Sequence, residues 1–209
     1  MPREHLRQHL VGMATSEKAF WNQKYSEAPG KWLEPDPFPA EAYDQFLAGR
    51  QPGRALDLAG GAGRHAIWLA RRGWDVKVID VSDVALEFAQ QNFSASSANN
   101  GGRLTCELSD LHSVQDFGKD HFDLVMVFFY LQRSLFPALV RAIKPGGFLI
   151  YKTFTVEQLQ FKKGPSDPAF LLQSNELPRL IPPMQVLLYR EQVLEKAVAE
   201  LVACKTVGC

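Results

Sequence analysis

From residue 54 onward the chain alternates between two hydrophobic rhythms. Short runs of apolar residues at strand length are separated by stretches with helical spacing. Arg54–Ala59 (RALDLA) reads as a strand, Gly60–Gly63 as a tight turn, and Arg64–Arg72 as a helix stopped by Gly73. Asp75–Val81 is a second strand. Ser82 then caps a helix running to about Asn92, with Ala85, Leu86 and Ala89 facing inward. A serine- and asparagine-rich loop, Ser94–Gly102, leads to a third strand at Arg103–Ser109. Phe122–Phe129 is almost wholly apolar, as a strand covered on both faces must be. Leu135–Ile143 reads as a helix, Lys144–Gly147 as a turn and Phe148–Phe154 as a fifth strand. A polar loop with Gly164, Pro165 and Pro168 follows, then a short helix at Asn175–Leu180. Two alternating runs, Gln185–Gln192 and Ala197–Lys205, close the chain as an antiparallel hairpin.

Strands alternating with helices at this spacing imply βαβ units and a mostly parallel sheet. Upstream, residues 1–53 have no such rhythm and read as an N-terminal extension. It carries Phe20, Trp21, Tyr25 and Trp32, then Pro35, Pro37 and Pro39, a density expected to stop regular structure. Ala40–Ala48 reads as a short helix with Ala42, Tyr43, Phe46 and Leu47 on one face. The main domain is expected over 54–209, a size that buries a substantial core.

Charge narrows the partners. Lysine and arginine total 23 and aspartate and glutamate 23, so no net field favours nucleic acid or an anionic membrane. No apolar run is long enough to span a bilayer. The slightly basic stretch up to Thr15 lacks the apolar centre of a secretory signal, although an organelle-targeting role for it stays open; the expected location is cytoplasmic. Cys106, Cys204 and Cys209 form no CxxC pair, so neither a disulfide framework nor a metal site is expected.

Candidate chemistry concentrates in Asp57-Leu58-Ala59-Gly60-Gly61-Ala62-Gly63-Arg64. Strand, glycine turn and helix follow one another. Glycines allow the sharp turn and the close approach of a ligand. The helix start offers free N–H groups to a phosphate or a carboxylate. Taken singly, Asp57 could be a turn former, Asp80 could cap the next helix in place of Ser82, and Asp110 could be a solvated loop acid.

The segment ALDLAGGAGRHAIWLA resembles the first motif of class I S-adenosylmethionine-dependent methyltransferases, an acid followed by glycines at alternate positions. Asp57, Gly61 and Gly63 match, and Ala59 stands where the first glycine is usual. Four further features follow in the family's order: Asp80 ending the second strand, Asp110-Leu111 after the third, Phe122-Asp123-Leu124-Val125 opening the fourth, and Lys144-Pro145-Gly146-Gly147 before the fifth. The resemblance implies a Rossmann-like, doubly wound, seven-stranded sheet closed by an antiparallel hairpin. It implies S-adenosylmethionine as cofactor, bound by Asp57, Ala59, Gly60, Gly61, Gly63, Asp80, Val81, Asp110, Leu111 and Phe128. Asp57 would hold the methionine amino group, Asp80 the ribose hydroxyls, and Asp110 with the Leu111 amide the adenine. Residues 1–53 would fold over the cofactor.

Within that class, the Gly-Ala-Gly-Arg-His loop, Leu69-Ala70 through Asp75-Val76 and Phe20-Trp21-Asn22-Gln23-Lys24-Tyr25 resemble the small tellurite-resistance and thiopurine methyltransferases. That implies a small soft acceptor, such as a tellurium or selenium oxyanion or a thiol. Tyr25, Trp32, Tyr130 and Arg133 are the candidates for its pocket. Arg133 reads equally well as a solvated residue before a helix, and His65 as a packed one. No catalytic base is implied, because alignment and desolvation suffice for an activated methyl group. Three other readings stay open: a nicotinamide oxidoreductase, since Gly61–Ala66 also satisfies GxGxxA; a protein or nucleic-acid methyltransferase; and a non-catalytic cofactor-binding scaffold.

Overall fold

The structure is a computed structural model, and it describes residues 16–28, 33–95, 101–113 and 116–206. The expected strands are all present: β1 (Arg54–Leu58), β2 (Asp75–Asp80), β3 (Arg103–Leu108), β4 (Phe122–Phe128), β5 (Ile143–Phe154), β6 (Gln185–Val193) and β7 (Ala197–Cys204). They form one seven-stranded sheet in the order β3-β2-β1-β4-β5-β7-β6. β2 and β3 pair in parallel, as do β4 and β5. β7 runs antiparallel to both β5 and β6. This is the Rossmann-like α/β architecture with its reversed C-terminal hairpin. The helices are α1 (residues 16–27), α2 (Pro37–Phe46), α3 (Arg64–Ala70), α4 (Asp83–Ser94) and α5 (Phe136–Ala142).

Burial follows strand position. Ala55 to Leu58 of β1 are buried, and so is nearly all of β4. The two edge strands, β3 and β6, are mostly exposed or half-exposed, as strands with one free side must be. The chain divides into two compact units, residues 1–36 with 57–115 and residues 37–56 with 116–209.

In the first unit, α3 ends at Ala70, and the turn after it closes at Gly73, which takes φ +92° and donates its amide to the Ala70 carbonyl. α4 starts at Ser82, whose Oγ accepts the Ala85 amide at 3.1 Å, as the sequence predicts. α1 is an element that the apolar rhythm of the opening segment does not announce. Its Trp21 and Tyr25, one helical turn apart, pack with Ala62, Val84, Ala85 and Phe88. The expected loop Ser94–Gly102 lies in large part outside the described residues.

In the second unit, α2 begins at Pro37, three residues before the predicted start at Ala40. Pro37 and Pro39 sit in its first turn, where no amide is needed for the helical ladder, so the prolines start the helix instead of blocking it. The turn Lys144–Gly147 is absorbed into β5, with an irregularity in the β4–β5 register between Phe122 and Leu124. The predicted helix at Asn175–Leu180 is a single 3-10 turn, Leu177–Leu180. β7 is buried although it carries Glu200. Lys152 on β5 meets one carboxylate oxygen at 2.7 Å, and Arg190 on β6 meets the other at 2.5 Å. Arg190 also bonds both oxygens of Glu41 on α2, at 2.8 and 2.7 Å. Burying these charges is tolerable because each has a partner.

Candidate cofactor site

The glycine loop sets the site's geometry. β1 ends at Leu58, and the chain then passes through Ala59 at φ +52°, Gly61 at φ +55° and Gly63 at φ +71°. Three left-handed residues in five turn the strand back into α3. Gly63 precedes α3 without a side-chain cap, and a Cβ there would press on the Cβ of Ala89 at 2.9 Å. Ala59, the departure from the family pattern, takes the conformation its glycine would have taken and carries the associated strain.

Two carboxylates occupy the loop from beneath. Asp57 is fully buried, and its Oδ2 accepts the Ala66 amide at 3.2 Å. Its Oδ1 is buried with no hydrogen-bond partner among the described residues. Such an oxygen forfeits its hydration for nothing inside the fold, which is uncommon outside functional sites. Burial pushes the Asp57 carboxyl up to about 7; the Arg64 charge and the Ala66 amide pull it the other way. Asp80, also buried, accepts the Gly61 amide on Oδ2 at 2.8 Å and the Ser82 amide on Oδ1 at 2.9 Å. Its carboxyl is likewise raised by burial, with the Ser82, Gly61 and Val81 amides opposing. The loop amides that could face a ligand anion are thus partly committed to the protein's own acids. This donor set suits a cationic group and hydroxyls better than a pyrophosphate, and so fits S-adenosylmethionine, which brings an ammonium and a ribose.

Asp110 and Leu111 follow β3. The Ser109 amide donates to the Asp80 carbonyl oxygen at 2.9 Å, which holds this loop beside the end of β2. Asp110 Oδ1 accepts the His112 amide at 2.9 Å, closing a small turn, and Leu111 is buried. Val81 is half-buried between Asp80 and the α4 cap.

Each acceptor-pocket candidate among the described residues has its own surroundings within its unit. Tyr25 lies against the glycine loop: an ideal Cβ on Gly61 would collide with its hydroxyl and stand 2.9 Å from its Cζ. Its hydroxyl is held protonated by burial and by the Asp80 charge beside it, against the pull of Arg64. Trp32 falls outside the described residues. Tyr130 is half-buried, donates to Gln132 Oε1 at 2.5 Å and accepts the Tyr151 hydroxyl on its carbonyl at 2.7 Å. Arg133 is a fastener. Its guanidinium donates to both oxygens of Glu176 at 2.5 and 2.9 Å and to the carbonyls of Ala169 and Leu171 at 2.9 Å each. Phe128 is buried, with its ring 6.5 Å from that of Phe38. His65 is packed, its Nε2 accepting the Asp36 amide at 3.1 Å.

Sequence reading passed over the α1 contacts. Lys18 meets Asp83 at 2.8 Å, Asn22 donates to Asp83 at 2.6 Å, and the Ser82 hydroxyl donates to Asn22 Oδ1 at 2.6 Å. In the aromatic run Phe128-Phe129-Tyr130, Phe129 takes φ +58° where β4 ends. Only the i, i+4 spacing of Trp21 and Tyr25 signals the helix.

Residues 55–147 match the family model described as "Methyltransferase domain". A putative methyltransferase, YqeM, of Bacillus subtilis is 31% identical over 124 residues, 54% of this chain and 48% of that protein. The chain spans about half the length of the curated relatives it matches. Among solved structures, the magnesium protoporphyrin IX methyltransferase of Synechocystis, with bound S-adenosylhomocysteine, superposes with TM-score 0.71 at 16% identity, covering 92% of this chain and 99% of that one. TehB from Haemophilus influenzae superposes with TM-score 0.63 at 18% identity, covering 80% of this chain and 62% of that one. The likeness to TehB is no greater than that to other folds of the class, so it singles out no subgroup. No helix among the described residues is long and apolar enough to cross a membrane. Residues 55–147 are therefore similar to a methyltransferase domain, and the sheet shares its fold with solved S-adenosylmethionine-dependent methyltransferases.

Proposed function

We propose that this protein transfers the methyl group of S-adenosylmethionine to a small-molecule acceptor. The observation that carries the reading is Asp57 Oδ1, a buried carboxylate oxygen beneath the glycine loop without a hydrogen-bond partner among the described residues. An ammonium group is the partner such an oxygen lacks. Asp57 holds the amino group of the cofactor's methionine part. Asp80 takes the ribose hydroxyls on lone pairs left after its two backbone bonds. Asp110 and the Leu111 amide read the adenine edge, and Ala59, Gly60, Gly61, Gly63 and Val81 supply close backbone; Phe128 stays a candidate cofactor-binding residue.

A sulfonium-bound methyl carbon is already electrophilic, and that is the chemistry the cofactor supplies. The residues named here then have to fix its position and exclude water. The balanced charge favours a small acceptor over nucleic acid. A soft nucleophile, a thiol or an oxyanion of tellurium or selenium, is the proposed class, and Tyr130, two residues beyond β4, is a candidate to meet it. Location in the cytoplasm accords with such a substrate.

Calorimetry with S-adenosylhomocysteine and NADH on the wild type and Asp80→Ala tests this. Micromolar binding of the former, weakened by about 1–3 kcal/mol in the variant, supports the reading. Binding of NADH alone sinks it.

A further inference from the structure

The three polar attachments of α1 and its one aromatic insertion form a pattern that cofactor binding does not by itself require. Near its start, Glu17 lies 3.4 Å from His112, on the loop that carries Asp110. At its middle, Lys18 and Asn22 bind Asp83, and Asn22 accepts from Ser82, the residue whose amide also fixes Asp80. At its end, Tyr25 presses its hydroxyl into the space over Gly61, the position in the loop where a side chain is missing. Asp80, Arg64 and Asp57 are the charges around that hydroxyl. The helix therefore lies along the same line of residues, from Asp110 through Asp80 to Asp57, that the proposed cofactor would follow.

A glycine at a ligand site normally keeps space for the ligand. Here a tyrosine from another helix fills it. Two groups cannot share that space, so whatever approaches Gly61 and the free oxygen of Asp57 has to displace the phenol. Resting on the cofactor reading above, we propose that Tyr25 is a gate: its hydroxyl and the cofactor compete for the hollow over Gly61, and entry requires α1 to tip Tyr25 outward about its Asn22–Ser82 anchor. The anchor suits this part. Ser82 Oγ is buried and caps α4 while it donates to Asn22, so the hinge end of α1 is tied to a rigid helix. The Lys18–Asp83 pair and the Glu17–His112 contact are solvent-exposed and weak, and cost little to break. A gate lowers apparent affinity by the fraction of time that it is shut and can limit the rate of entry.

Stopped-flow mixing of the full chain with S-adenosylhomocysteine tests the gate. Trp21 provides the signal, since its ring lies 6.1 Å from that of Tyr25; Trp21→Phe should abolish the change. In the wild type the observed rate should level off as ligand concentration rises. Tyr25→Ala should make it linear and faster at every concentration. Asn22→Ala, which loosens the anchor and keeps the phenol, should raise the plateau by about three- to tenfold, the range set by one or two lost hydrogen bonds. A wild-type rate linear to the highest concentration, with Tyr25→Ala and Asn22→Ala associating no faster, overturns the gate and leaves the cofactor reading standing. Failure of the wild type to bind the ligand at all overturns both. Should Tyr25→Ala not fold, Tyr25→Phe and Asn22→Ala decide the matter.

Discussion

Asp57 accepts the amide of Ala66 on one carboxylate oxygen and leaves the other buried without a partner. Burying that oxygen unpaired costs stability. Its carboxyl is raised from the ordinary value near 3.8 to about 7. Between those values the folded chain retains a proton that the unfolded chain has released, so stability falls as pH rises across that window and levels off above it. Asp57→Asn removes this dependence. The variant should melt above the wild type, by an increment that grows from about pH 4 to about pH 7. About 4 kcal/mol is its ceiling from a shift of roughly three units, and S-adenosylhomocysteine binding should be lost. A melting-temperature series across pH, with binding checked by calorimetry, reads both effects; an increment that does not change with pH would refute the titration.

Gly61→Ala introduces a Cβ at φ +55° that collides with the Tyr25 hydroxyl. Backbone strain and collision add, and denaturant unfolding should show a loss of about 2–4 kcal/mol. In the Tyr25→Ala background the collision disappears and only the backbone part, about 1–2 kcal/mol, should remain. Equal losses in both backgrounds would mean that the two residues do not touch.

Arg133 is expected to act through the fold. Its guanidinium spans Glu176 and the carbonyls of Ala169 and Leu171, and so pins the 169–176 segment. More than a third of the Arg133 side chain is exposed, so solvent screening keeps the coupling small. A double-mutant cycle of Arg133→Ala and Glu176→Gln should give about 1 kcal/mol of coupling, with cofactor affinity unmoved. A selective rise in KM for an acceptor, without loss of stability, would instead place Arg133 in the acceptor pocket.

Ala59→Gly relaxes a left-handed alanine and should stabilise the chain by about 0.5–1 kcal/mol. Chemical denaturation measures this directly. No gain would imply that the alanine methyl makes contacts worth the strain.

Much of this is legible along the chain. β1 and β4 announce themselves because buried parallel strands need unbroken apolar runs, and β6 and β7 because two strand-length runs stand with little chain between them. Asp57, Asp80 and Asp110 are legible because each lies within two residues of the C-terminal end of a strand, so local order fixes their place. What escapes depends on contacts distant in sequence. Tyr25 meets Gly61 across 36 positions and Arg133 meets Glu176 across 43, and neither residue type declares its partner. Pro37 misleads for a different reason: whether a proline breaks or begins a helix depends on which turn it occupies, and composition alone does not tell.

The Arg190 link between Glu41 and Glu200 has a consequence for the order in which the protein is made. Glu41 is synthesised 149 residues before Arg190, and α2 cannot engage its charged partner on β6 until the chain through Arg190 has emerged. The early helix must wait in an unfinished chain, with Phe38 and Ala42, buried in the finished fold, still uncovered. A contact that joins segments this far apart in sequence forms late, and the nascent form is the stage at which a chaperone would find apolar surface to hold.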